Sequence, residues 1–209
     1  MGRPRKFTRE QLQQAALALL DADGLEGLTM RALAARLGTG AMTLYNHVRS
    51  REDLEVLVTE AIVGRTRWPA GRRRDWRAEV RAIATAMWRA VRAHPHAIPL
   101  ILVRRTRSPA ALQVAEALLA ALARGGRSGH RLLVAFRAVS ALVMGFAQVE
   151  LAGPLSRRAG ETATTAIRRV RALSPEAFPH LIEIAEAATT SDAGREFRRG
   201  LDLLLAGLD

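Results

Sequence analysis

Apolar positions recur along this chain at intervals of three and four residues, the spacing that gathers one face of an α-helix. Leu12, Ala15, Ala16, Leu19 and Leu20 fall on such a face. Thr8 stands just ahead of it with Gln11 three residues on, the pairing of a capping box, and Gly24 supplies a C-terminal stop. The pattern then predicts a short helix from Met30 to about Leu37, capped by Thr29, with Leu33, Ala34 and Leu37 inward. Gly38-Thr39-Gly40 forms a tight turn into a third helix from Ala41 to about His47. Ser50 begins a fourth, with Asp53 three residues later and Leu54, Leu57, Val58, Ala61 and Ile62 as its apolar stripe.

Between Gly64 and Asp75 the periodicity breaks, and Trp68, Pro69, Gly71 and Arg72-Arg73-Arg74 read as a linker. Beyond it, helical spacing returns at about 76–93, 97–103, 109–124, 130–152, 175–189 and 193–208. Ser108-Pro109 and Ser174-Pro175 each read as a cap followed by proline at the first helical position. Residues 153–160 read as a loop, and 161–173 fit helix or loop equally well. No segment alternates as a strand does, and no internal repeat is visible. The expected fold is all-α, with an N-terminal three-helix domain over residues 1–50, including an arm at 1–7, and a larger helical bundle over 51–209.

Composition supports this and narrows the chemistry. Of 209 residues, 49% are hydrophobic but only 4% aromatic, so the core is built mainly from leucine, alanine, valine and isoleucine. The absence of cysteine excludes a disulfide framework, a thiolate metal site and a cysteine nucleophile. The basic residues after Met1 are not followed by an apolar signal core. The longest apolar stretch, 132–152, is interrupted by Arg137, Gln148 and Glu150 and reads as a buried helix. A cytoplasmic protein without membrane association is expected. The formal net charge of +12 suits an anionic partner such as nucleic acid, although arginine-rich usage also accompanies GC-rich genomes.

The segment from Thr29 to His47 has the grammar of a helix-turn-helix: a bracing helix, a glycine turn, and a second short helix that lies in a major groove. Leu44 and Val48, four residues apart, face inward with Leu33 and Leu37. That leaves Ala41, Met42, Thr43, Tyr45, Asn46 and His47 toward DNA or solvent. Thr43 and Tyr45 carry hydroxyls that reach phosphates, and Asn46 can pair with adenine. Ala41, Met42 and the Thr43 methyl can meet a thymine methyl, and Gly40 permits close backbone approach. Arg51 and Arg31, at the starts of their helices, are placed for phosphates. The arm carries Arg3, Arg5 and Lys6, cations suited to a narrow minor groove.

The strings Gly27-Leu28-Thr29-Met30-Arg31-Ala32-Leu33-Ala34-Ala35-Arg36-Leu37-Gly38 and Thr43-Leu44-Tyr45-Asn46-His47-Val48-Arg49-Ser50-Arg51-Glu52-Asp53-Leu54 resemble the DNA-binding domain of the TetR family. The aromatic-x-His-Val run ending in Arg51 is among that family's most specific marks, and the strong resemblance spans roughly residues 8–60. It implies an all-α homodimer that binds double-stranded DNA at a palindromic operator, with repression relieved when a small molecule enters the second domain. It also implies DNA contacts at Arg31, Thr43, Tyr45, His47 and Arg51, with operator preference set at positions 39–42. The stretch Leu102 to Pro109 resembles, more weakly, the second domain of the tetracycline repressors, which chelate a magnesium–drug complex through a histidine in this region. Arg104 stands at the matching position here, which argues against that ligand.

Candidate effector contacts are large apolar residues with interspersed polar ones on the middle helices: Met87, Trp88, Val91, His94, Leu102, Gln113, Phe136, Met144 and Gln148. At helical spacing the apolar members serve equally as core. His94 and His96 lack a nearby carboxylate at ligand spacing, so neither a metal nor another cofactor is expected. Among five histidines no catalytic signature occurs, and an enzyme is not expected. Dimerisation is expected through the long helices at 130–152 and 193–208. The remaining alternative is a sequence-neutral architectural DNA-binding protein.

Overall fold

The first helix starts where its cap predicts. In a computed structural model describing residues 7–69, 75–104, 107–149, 161–190 and 192–208, the Gln11 amide donates to the Thr8 hydroxyl at 3.2 Å. The Thr8 amide donates to Gln11 Oε1 at 2.9 Å, which completes the box. Eleven helices follow one another among these residues: α1 (Arg9–Gly27), α2 (Met30–Arg36), α3 (Ala41–Tyr45), α4 (Arg51–Val63), α5 (Trp76–Arg92), α6 (Ile98–Arg104), α7 (Pro109–Arg124), α8 (Gly129–Val149), α9 (Ala163–Arg171), α10 (Pro179–Ala187) and α11 (Ala193–Ala206). No strand occurs among the described residues, so the all-α expectation holds.

The chain separates into two compact units, residues 1–127 and 128–209. In the first, α4 packs against α1, α5, α6 and α7. Every residue from Leu54 to Val63 is buried, including Glu55 and Glu60, each 8% exposed. The sequence pattern gave α4 one apolar stripe; the structure surrounds it. In the second unit α8 packs on α11, where the Phe146 and Phe197 rings meet edge to face at 5.7 Å. A methyl at Gly200 would lie 2.9 Å from the Phe146 ring, so glycine permits this close approach.

Several expected boundaries shift, each for a local reason. Gly24 does not end α1. It kinks the helix at φ 66° and ψ −163°, and a last turn runs on to Gly27. The third helix stops at Tyr45 rather than His47, with Asn46 and His47 in the following turn. Ser174-Pro175 opens a separate turn, because Pro179 already occupies the first position of α10 and fixes its start. Residues 163–171, left open by the sequence, form α9, capped by Thr162. The loop expected at 153–160 and the triple arginine at 72–74 lie outside the described residues.

Within the single chain α8 buries one stripe, Ala135, Val139, Val143 and Ala147. Leu133 and Val134 are exposed. Its span Gly129–Gln148, at mean hydropathy 1.4, is long and apolar enough to cross a membrane, although it carries charges at Arg131 and Arg137.

The φ and ψ of Gly24 lie in a region open essentially to glycine. A Cβ there would meet nothing within 4 Å, so any loss is backbone strain alone. Gly24→Ala is expected to cost about 1–3 kcal/mol of unfolding free energy, read by denaturant titration.

Candidate nucleic-acid interface

Short helices cannot hold themselves together, so the reading surface is fixed by its caps and its buried side. Thr29 caps α2, accepting the Ala32 amide at 3.1 Å. Gly38, at φ 64°, reverses the chain. Gly40 then stands at the N-cap of α3, and Ser50 caps α4 by accepting the Asp53 amide at 3.1 Å. Leu33, Leu44 and Val48 are fully buried, pinning α2 and α3 from beneath.

What remains faces outward as one strip. Arg31, Gly40, Ala41, Met42, Tyr45, Asn46 and His47 are exposed, and Thr39 and Thr43 are half-buried. Met42 is 80% exposed, the most of any large hydrophobic among the described residues. Met42 is well placed to meet an apolar group on a partner. The His47 ring is met edge to face by Phe7 at 6.2 Å, which orients the imidazole at the edge of the strip. Arg3, Arg5 and Lys6 lie outside the described residues.

Arg51 is more committed than its sequence position suggests. It is half exposed, yet its Nε donates to Glu55 Oε1 at 3.1 Å and its Nη2 to the Leu25 carbonyl at 2.9 Å. Glu55 also accepts from Arg104 Nε at 2.7 Å, and this hydrogen bond raises the Arg104 pKa further despite the opposing effect of burial. Arg107 Nη1 reaches Glu52 at 2.8 Å, and its Nη2 reaches Asp53 at 3.3 Å. The first turns of α4, directly after the reading strip, are thus held by two arginines from the end of α6 and just beyond it. On the other side Glu60 accepts from Arg9 Nε at 2.9 Å and Gln13 Nε2 at 3.1 Å, tying α4 to α1. The sequence reading missed this clamp. Its signal was two glutamates, Glu55 and Glu60, on a helix otherwise rich in valine and leucine, but a one-stripe pattern assigns them to solvent.

The expected effector residues scatter between the units. In the first, Trp88 and Val91 are buried, and the half-buried Met87 sulfur lies 3.6 Å from the Thr66 hydroxyl. Leu102 is exposed. His94 lines a groove between α4 and α5, whereas Gln113 lines a different cleft, with Arg9 and Glu60. In the second unit Phe136 and Met144 are half-buried and Gln148 is exposed, all on α8. No group of three or more metal-binding side chains occurs among the described residues.

Glu55 is shared by Arg51 and Arg104, so their contributions should couple. The losses of thermal stability in Arg51→Ala and Arg104→Ala are expected not to add in the double variant. A calorimetric double-mutant cycle reads this, and strict additivity would mean that the clamp is two independent surface pairs.

Comparison with known proteins agrees with this geometry. Residues 12–55 match the family model of bacterial regulatory proteins, tetR family, and residues 68–209 match the tetracyclin repressor-like C-terminal domain. An HTH-type transcriptional regulator of Saccharopolyspora erythraea is 33% identical over 202 residues, covering 97% of this chain and 84% of that protein. The HTH-type transcriptional repressor DrrR1 of Streptomyces coeruleorubidus is 29% identical over 210 residues, covering 97% of this chain and 77% of that protein. Among solved structures, the TetR family protein ActR of Streptomyces coelicolor in complex with actinorhodin superposes with a TM-score of 0.76 at 26% identity, covering 98% of this chain and 97% of that one. A chain whose C-terminal two-thirds and helix-turn-helix both match in this way belongs to the TetR family of bacterial transcriptional regulators.

Proposed function

We propose that this chain is a homodimeric, sequence-specific repressor that binds a palindromic operator in the cytoplasm and leaves it when a small molecule binds. The observation that carries the DNA reading is the outward strip of Met42, Thr43 and Tyr45 on α3 and Asn46 in the turn after it, pinned from beneath by Leu44 and Val48. Thr43 and Tyr45 would contact phosphate, Asn46 and Met42 base edges, and Arg31 and Arg51 the flanking backbone. Arg51 would then share its guanidinium between Glu55 and a phosphate. Residues 1–50 would form the reading domain and 51–209 the regulatory one, a division of roles, since packing runs through residue 50 into α4.

The dimer reading is supported by apolar surface in the second unit. Leu203 on α11 is 79% exposed, and Leu133 and Val134 on α8 are exposed too. Two such helices from each protomer can close a four-helix bundle that buries these faces. Two-fold symmetry would then place two reading strips on successive major grooves, about 34 Å apart. The DNA-binding repressor role follows the relative named as a repressor, and the ligand role follows the neighbour solved with actinorhodin. The effector would act by favouring a spacing of the two strips that no longer fits the operator.

Selection of bound duplexes from a random pool at physiological salt is expected to recover a palindrome. Thr43→Ala and Tyr45→Phe should each weaken its binding roughly ten-fold, by loss of a hydrogen bond to a charged group, while leaving the melting temperature unchanged. Salt-sensitive binding with no recovered motif would instead identify a sequence-neutral binder. Removing residues 1–6 should lower the slope of log affinity against log salt by about 0.9 for each phosphate the arm neutralises.

Leu203→Asp should convert the dimer to monomer in sedimentation equilibrium, because it would place a charge in the bundle core. An unchanged dimer would put the interface elsewhere.

A further inference from the structure

The groove that His94 lines runs between the C-terminal end of α4 and one face of α5, with a cavity volume of about 780 Å³. That is within the range of small-molecule sites. Its chemistry is one-sided. Arg65, Arg67, Arg81 and Arg89 line it, and no aspartate or glutamate does among its described lining residues. Arg67 donates through Nη1 to the Gly64 and Thr66 carbonyls at 2.6 and 3.1 Å, which fixes one edge of its guanidinium where α4 ends. The α5 residues at successive turns, 78, 82, 86 and 90, are all alanine, so one stripe of the groove presents only methyl groups. Trp68 forms a wall. Guanidinium groups pair in the plane with carboxylates, and a methyl stripe beside an indole accepts a planar ring.

The far end of the groove reaches His94. Its Nδ1 lies 2.9 Å from Asp21 Oδ2 and 3.0 Å from Oδ1, and Asp21 belongs to α1, the first helix of the reading module. An anion that draws this imidazole toward the groove would compete with Asp21 for it.

We propose that the groove lined by Arg65, Arg67, Arg89 and Trp68 binds a planar aromatic carboxylate, and that its occupancy loosens the contact between His94 and Asp21. Binding here would be sensed at α1 by a route separate from the α6–α4 clamp. The regulatory consequence rests on the reading of the chain as a ligand-released repressor; the binding does not, and it is tested without DNA.

The test titrates the full chain with 1-naphthoate by calorimetry, with neutral 1-naphthalenemethanol as the comparison. The acid is expected to bind one per chain, at least about ten-fold more tightly than the alcohol, as loss of an ionic pair implies. Arg65→Ala combined with Arg89→Ala should weaken the acid at least about ten-fold, while Leu112→Ala, on α7 and away from the groove, leaves it unchanged. Both variants alter exposed side chains, and an unchanged melting temperature confirms their folding. The His94 ring resonances should shift on saturation in the native chain and stay fixed in the double variant. Equal binding of acid and alcohol, unchanged acid binding by the double variant, or no acid binding at millimolar concentration would each overturn the proposal. None of these results bears on DNA recognition, and failure to select an operator would leave a positive titration standing.

Discussion

Ten consecutive buried residues on α4 impose the constraint on which the first unit depends. A helix enclosed on all sides ordinarily carries no charge, yet this one carries Glu55 and Glu60. An unpaired buried carboxylate costs several kcal/mol, so each must bring its own partners. Glu60 takes Arg9 and Gln13 from α1, and Glu55 takes Arg104 from the end of α6 together with Arg51 from its own helix. Such pairs contribute little net stability against an apolar core of equal volume. They do restrict register, because α4 cannot slide against α1 or α6 without stranding a charge.

That restriction lies where it matters for reading DNA. The reading strip ends at His47, and α4 begins four residues later, with only Val48, Arg49 and the Ser50 cap between. Whatever tilts α4 must therefore move α3 or break its caps. Packed interfaces tend to hold discrete arrangements rather than deform smoothly. Glu52, Asp53 and Glu55 sit on the first turns of α4 and are met by Arg104 and Arg107, so a displacement at the end of α6 reaches α4 through charged contacts. The weak resemblance around Leu102 to Pro109 acquires a physical meaning here. In this chain the Arg104 side chain within that stretch is occupied with Glu55.

Local features of the sequence were legible, and features that depend on a neighbour were not. Thr8, Thr29, Ser50 and Ser108 cap the helices they were expected to cap, since a cap is decided within four residues. The strip was legible for the same reason: the eight residues from Ala41 to Val48 leave few ways to bury Leu44 and Val48 and still face solvent elsewhere. Gly24 misled because glycine permits both a stop and a kink, and only packing chooses between them. Glu55 and Glu60 were missed because periodicity reports the strongest apolar face and is silent about a second buried one. The effector residues were the least legible. Apolar side chains on middle helices look alike whether they fill a core, as Trp88 and Val91 do, or stand open, as Leu102 does.

The same reasoning separates two kinds of apolar exposure. Met42 is a lone side chain on a short helix with polar neighbours, and its surroundings suit contact with a single methyl-sized group. Leu133, Val134 and Leu203 belong to two long helices that already pack on each other along their opposite sides. Burying α8 on both sides requires a surface as long as a helix, which no small ligand offers. A second copy of the chain offers one of matching length and composition by symmetry. On the proposed reading, the length of α8 and the shortness of α3 would call for opposite partners, although both leave hydrophobic atoms in water.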